Sequence, residues 1–262
     1  MHVDDPRFPP LLTGHGIKAP LSAFDEACNG AVTGRLGAAD LVWARNTSRI
    51  ELALVLEPDV SRISALQMVP LFELAVIEAV GALMPARTSV LLRWPLDLLV
   101  NAGVAGRFRF AAAPCSEDSV PDWLVVGVEI ELDGNPQVGE PGHARDRTSL
   151  SEEGAGDKTR SDFLEVISAY ALSWINSWQD GGHAAFADNW IGRVEGYEGP
   201  APMALAGDSG ERIVAQVLGL DDEANLIVKI SEHDIRALAI NALLEVKLEG
   251  SIQGQNARAG LA

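Results

Sequence analysis

From residue 93 the chain reads Arg93-Trp94-Pro95-Leu96-Asp97 and, a few residues on, Gly103-Val104-Ala105-Gly106-Arg107-Phe108-Arg109-Phe110. The second run alternates in polarity, so as a strand it places Arg107 and Arg109 on one face and Phe108 and Phe110 on the other. Residues 89–93 read as the neighbouring strand, with Arg93 at its end. Between residues 86 and 110 stand four arginines (Arg87, Arg93, Arg107, Arg109) and one acid, Asp97, a local charge of +3 in a chain of formal net charge -17. Guanidinium groups on adjoining strands can hold a carboxylate or phosphate through paired hydrogen bonds. The plainer reading is a solvated strand edge, with Trp94 and Pro95 packing a turn.

The chain has 262 residues, 47% apolar and 22% charged. That is enough for one large unit and a smaller one, each with a core, and is unlike a disordered composition. Twenty basic residues stand against 37 acids, a balance that repels phosphate backbones and anionic lipid, so neither nucleic acid nor membrane is an expected partner. Only four of the basic residues are lysines (Lys18, Lys158, Lys229, Lys247), leaving none from 19 to 157. Cys28 and Cys115 have no metal spacing, and no basic-then-apolar leader opens the chain, so a reduced, cytoplasmic protein is expected. The most apolar window, residues 68–84, contains Pro70, Glu73 and Glu78 and reads as a core helix, too short and too charged to span a bilayer.

Along the chain, Phe8-Pro9-Pro10-Leu11-Leu12 reads as an extended strap. Ser22 is placed to cap a helix with Asp25 and Glu26 in its first turn and Gly34 or Gly37 as its stop. Residues 40–44 and 49–56 read as a β-hairpin, after which Asp59 or Ser61 caps one long helix running to about Met84. Strands are expected at 89–93, 103–110 and 124–132. Residues 133–158, rich in Gly, Pro and charge, read as a mobile connection holding at most a short helix. Phe163, Ile167, Tyr170, Trp174 and Trp178 then form the stripe of an amphipathic helix that stops at Gly181-Gly182. Short strands at 212–218, 225–230 and 243–248 follow. The expected architecture is α+β: a mixed sheet with helices on one face over residues 1–188, a small SH3-like β-barrel over 189–250, and a loose tail over 251–262.

Three motifs carry little chemistry. Gly207-Asp208-Ser209-Gly210 looks like a protease nucleophile loop without a matching histidine, and reads as a hairpin turn. The five histidines lack ligand spacing, so no metal site is expected. Gly14-His15-Gly16-Ile17-Lys18 lacks the spacing of a phosphate loop.

Arg93-Trp94-Pro95-Leu96-Asp97 with Val104-Ala105-Gly106 resembles the Lys-Trp-Pro-Asn-Asp and Lys-Val-Ala-Gly pair of the biotin and lipoate protein ligase family. In the same order, Ser22-Ala23-Phe24-Asp25 resembles the family's Ser-Thr-Asn helix start. Val126-Gly127-Val128-Glu129-Ile130-Glu131 resembles its Gly-x-Gly-x-Asn strand, and the segments around Thr148 to Glu153, Trp174 to Trp190 and Gly219-Leu220-Asp221 continue the likeness. The resemblance implies condensation of biotin or a lipoyl-type acid with ATP, assisted by Mg²⁺, to an acyl-adenylate, and transfer of the acyl group to a lysine of a carrier domain. It also implies Arg93 and Asp97 as catalytic residues. Ser22, Arg49, Trp94, Gly106, Arg107, Arg109, Gly127 and Glu131 would line the substrate cavity. The chain departs from the family pattern at four places: only residues 45–48 stand where a Gly- and Arg-rich loop belongs, Gly103 and Leu96 replace a lysine and an asparagine, and Glu131 replaces the strand asparagine. The alternative is a homologue that binds a small acid or a carrier protein without turnover.

Overall fold

A computed structural model describes residues 5–134, 146–204 and 212–244. Seven strands form one sheet in the order β1-β2-β3-β7-β6-β5-β4. They are β1 (Thr13–Ile17), β2 (Asp40–Ala44), β3 (Arg49–Leu56), β4 (Val90–Arg93), β5 (Asp97–Val100), β6 (Gly103–Ala112) and β7 (Leu124–Glu131). Only β1 with β2 is parallel; every other neighbouring pair is antiparallel. The sheet is therefore mixed, as the sequence pattern implied.

Alternation along these strands sorts side chains to two faces. Leu41, Trp43, Ile50, Leu52, Leu54, Phe108, Phe110, Val126, Val128 and Ile130 join one large buried cluster with α3 (Met68–Leu83) and α4 (Arg160–Gly181). Val42, Ala53, Val55, Ala111 and Val125 face the other way, against Ala23, Phe24, Ala27 and Ala31 of α1 (Ala23–Val32). Helices thus lie on both faces, not on one. The α1 face is small and alanine-lined, because a single ten-residue helix covers only part of it.

Ser22 caps α1 as expected, its side chain accepting the Asp25 N–H at 3.3 Å. The long apolar helix, in contrast, is two helices: α2 (Arg62–Ala65) and then α3. Pro70 explains the break, since it has no N–H for a continuous helix and fits the first turn of a new one. The span Arg62–Leu83 is long and apolar enough to cross a membrane, but 83% of its window is buried within the fold, which marks a core element. Thr159 and Asp162 form a reciprocal capping box at the start of α4, and its aromatic stripe lies on the core.

Strand β1 escaped the sequence pattern because its two glycines mimic a turn. A Cβ on Gly14 would lie 2.5 Å from the Phe8 ring, and one on Gly16 2.5 Å from the Arg45 guanidinium. Both glycines seat flat side chains on the edge strand. The loop-like Gly14-His15-Gly16 is accordingly a strand.

Beyond α5 (Ala187–Ile191), β8 (Ala201–Ala204), β9 (Arg212–Leu220), β10 (Leu226–Ser231) and β11 (Asp234–Leu238) form a four-stranded antiparallel sheet ordered β11-β10-β9-β8. Its β9–β10 turn is closed by Asp221, whose carboxylate accepts the N–H groups of Glu223 and Asn225 at 3.0 and 2.8 Å. The strand expected over 243–248 is not one where it can be seen: residues 240–244 are helical, with Ile240 and Leu244 one turn apart and both buried. Residues 245–248, the Gly207-Asp208-Ser209-Gly210 turn and the tail over 251–262 lie outside the described residues, as do residues 135–145 of the long Gly- and Pro-rich connection, in which Ser151–Ala155 form a short helical turn.

The start of α3 is tied to the β9–β10 turn, and its body to α5. The Gln67 amide donates to the Asp222 carbonyl at 2.6 Å, and the Trp190 indole donates to the buried Glu73 at 3.0 Å. Residues 193–195 also bond along β4: the Leu92 N–H donates to Arg193 at 2.7 Å, and the Glu195 N–H to Leu92 at 2.8 Å.

Candidate functional site

Where α1 ends, the same face of the sheet becomes polar. Register places Arg93 opposite Asp97, Asp97 opposite Arg107, Arg107 opposite Glu129, and Glu129 opposite Glu51. These five side chains form one cross-strand row over β4, β5, β6, β7 and β3. Arg109 opposite Gly127, and Arg49 opposite Glu131, flank it. Sequence alternation therefore brought Arg107, Arg109, Gly127 and Glu131 to a common face.

Most of these guanidinium groups are closed on carboxylates. Arg93 makes a two-pronged contact with Glu195, its Nε donating at 2.6 Å and its Nη2 at 3.0 Å. Arg49 grips Glu131 the same way, at 3.1 and 2.7 Å. Arg109 lies over the Phe24 ring at 4.2 Å and donates to Asp25 at 2.7 Å and to Ser22 and Glu129 at 3.2 Å. Bonding to Glu131 raises the Arg49 pKa, and bonding to Glu195 raises that of Arg93, in both cases against burial. Arg107 differs: it is exposed and makes no ion pair among the described residues.

The acids have their own order. Glu51 is only 8% exposed; burial first, and then Glu129 across the strand, raise its pKa, while bonds from the Ala23 backbone and Asn46 oppose the rise. Counting Asp25, Glu51, Asp97, Glu129, Glu131 and Glu195 against Arg49, Arg93, Arg107 and Arg109, the face carries more carboxyl than guanidinium groups. No group of three or more His, Cys, Asp or Glu residues among those described is arranged to hold a metal ion.

Only residues 45–48 join β2 to β3. That turn is braced. The Ser48 N–H donates to Asn46 Oδ1 at 3.1 Å, and the buried Arg160 donates from below to the carbonyls of Ala44 and Asn46 at 3.4 and 3.2 Å. Desolvation lowers the Arg160 pKa, and its charge rests against the Trp43 ring at 4.9 Å.

Other residues singled out in the sequence serve packing. Trp94 is 2% exposed and belongs to the apolar cluster, so its indole lies in the core and not on the charged row. A Cβ on Gly127 would lie 2.9 Å from the Phe24 ring, and one on Gly106 2.6 Å from the Glu129 carbonyl. Both glycines permit close approach, of helix to sheet and of strand to strand. Glu195, Asp25, Phe24, Glu129 and Glu51 were not singled out as site residues, although Asp25 was read as a first-turn residue of α1. Alternation from Gly127 through Glu129 to Glu131 could have revealed Glu129, whereas nothing local marks Glu195 as the partner of Arg93, 102 positions away.

The profile of the biotin/lipoate A/B protein ligase family matches residues 8–192. The biotin–[acetyl-CoA-carboxylase] ligase of Paracoccus denitrificans is 26% identical over 190 residues, 71% of this chain and 76% of that protein. A biotin protein ligase-like protein of unknown function from a Silicibacter species is 30% identical, with a TM-score of 0.78 over 92% of this chain and 99% of that one. The biotin protein ligase of Aquifex aeolicus in complex with biotin and ATP shares the fold at 17% identity, with a TM-score of 0.65 over 86% of this chain and 95% of the other. From the order of its motifs, its sheet and these likenesses, the chain belongs to the biotin/lipoate A/B protein ligase family.

Proposed function

We propose that this protein binds a small carboxylic acid, of the biotin or lipoyl type, on the charged row without activating it. Forming an acyl-adenylate requires a carboxylate and a triphosphate to be brought together, with fixed cations cancelling their repulsion. The observation that carries the reading is the closure of Arg49, Arg93 and Arg109 on Glu131, Glu195, Asp25 and Glu129. An unpaired Arg107 suits one carboxylate. It does not suit a triphosphate: a carboxylate about 4 Å from a phosphate charge costs on the order of 4 kcal/mol at an effective dielectric near 20, this face holds several, and no group of three or more acids among the described residues is arranged to hold Mg²⁺. The braced turn at 45–48 also leaves little chain to fold over a nucleotide. The acid could arrive free or on a carrier domain, in the cytoplasm.

Isothermal titration with biotin, lipoate and octanoate tests the reading. One of them is expected to bind, at least tenfold more weakly to Arg107→Ala; no binding by any, or an unchanged affinity in the variant, counts against it. Turnover is the second reading, favoured by the similarity to an acetyl-CoA-carboxylase ligase. It requires the arginine pairs to open on a nucleotide, and tight binding of ATP·Mg²⁺ in the same titration would support it.

A further inference from the structure

On the side of the sheet that carries α3 and α4, a cavity of about 370 Å³ opens between the end of α3, the middle of α4 and β4, lined by Ile77, Glu78, Thr88, Val90, Tyr170 and Arg193. Its volume is at the small end of sites that hold metabolites. Glu78 is fixed in place, its Oε2 accepting the Trp174 indole N–H at 2.9 Å, while its Oε1 takes no hydrogen bond from the described residues. Arg193 is anchored by its backbone: its N–H donates to Trp190 at 2.8 Å and its carbonyl accepts from Leu92 at 2.7 Å. Its guanidinium makes no ion pair among the described residues. Arg35, Arg45, Arg49, Arg93 and Arg109 all close on a carboxylate. Arg193 and Glu78 instead share a cavity without bridging it.

Gly81 and Ala82, in the last turn of α3, complete the lining, and the space beside Gly81 is clear. A plain carboxylate entering the cavity meets Glu78; a plain amine meets Arg193. A ligand with both charges a short distance apart satisfies both ends. We infer that the cavity binds a small zwitterion of the α-amino-acid class, its carboxylate on Arg193, its ammonium on Glu78, and an apolar side chain against Ile77 and Val90.

Titration calorimetry of the whole protein with glycine, L-alanine, L-valine and L-leucine tests this. Isovalerate and isobutylamine serve as controls, since each keeps the branched valine side chain with one of its two charges. At least one amino acid is expected to bind with one-to-one stoichiometry, and each single-charge control at least tenfold more weakly than L-valine. Arg193→Gln and Glu78→Gln should each weaken the amino acid at least tenfold with unchanged circular dichroism, the second retaining an acceptor for Trp174. Silence from all four amino acids, equal affinity for the controls, or an affinity that survives both substitutions would overturn the inference.

Discussion

The two faces of the seven-stranded sheet share the same strands and obey different physics. Toward α3 and α4, residues such as Leu52, Phe108 and Val128 are within 1% of full burial and need only fit together. On the other face the residues between them each need a specific answer: Arg107 stays hydrated, Glu129 is met by Arg109, and the buried Glu51 is met by the Ala23 backbone and Asn46. Burial is non-directional and tolerates approximate matches, whereas an ion pair depends on one partner in one place. The apolar face therefore fixes the fold, and the pairing on the charged face fixes which of its charges remain available.

Neighbours on β6 give the widest contrast. Phe108→Ala should lower stability by about 3–5 kcal/mol, the usual cost of emptying a large aromatic site, read from urea unfolding. A loss under about 1 kcal/mol would mean that the two faces are not divided as described.

Glu73 is the exception that sharpens the rule. It is an acid in the apolar core, fully buried, with Oε2 on the Trp190 indole and Oε1 without a partner among the described residues. Burial raises its pKa well above the usual carboxylate range, so the folded state keeps a proton that the unfolded chain releases near pH 4.3. Its contribution to stability is complete below that pH and declines as pH rises toward the folded value, by up to about 1.4 kcal/mol per unit. Glu73→Gln should remove this slope, which unfolding of both proteins between pH 4.5 and 8 would reveal; parallel pH profiles would mean that the carboxyl ionises freely in the fold.

Smaller effects belong to the charged face. Glu195→Gln breaks a pair whose side chains are each 24% exposed, and should cost about 1–2 kcal/mol. Replacing Arg93 and Glu195 together by methionine should cost less than Glu195→Gln alone, because no charge is stranded. Arg107→Ala should change stability by less than about 0.5 kcal/mol while removing acid binding. A large loss of stability there would show Arg107 to be structural.

Legibility from sequence followed the same division. β2 and β3 were readable to the residue because Leu, Val and Ile alternate between buried faces, and α1 because Ser22 and Asp25 mark its start. β1 was hidden by glycines whose purpose lies in Phe8 and Arg45, and β5 because only a turn separates it from β4. The break before α3 was signalled by Pro70, though the apolar run around it obscured the signal. At the site, Arg107 and Arg109 were placed on one face correctly from period two alone. The neutralisation of Arg109 and Arg93 was not visible: Asp25 comes from the first turn of a helix and Glu195 from the segment that leads to the second sheet, and no local pattern records such long-range pairing. The small number of lysines pointed toward arginine without saying whether those arginines were available.

Acid-dependent exchange of labelled pyrophosphate into ATP reads most directly whether the guanidinium groups of the charged row are spoken for. With biotin, lipoate and octanoate each supplied with ATP and Mg²⁺, closed pairs predict no exchange above the acid-free background. Exchange that appears with any one acid, and is lost in Arg93→Ala, would contradict the account and identify an active ligase.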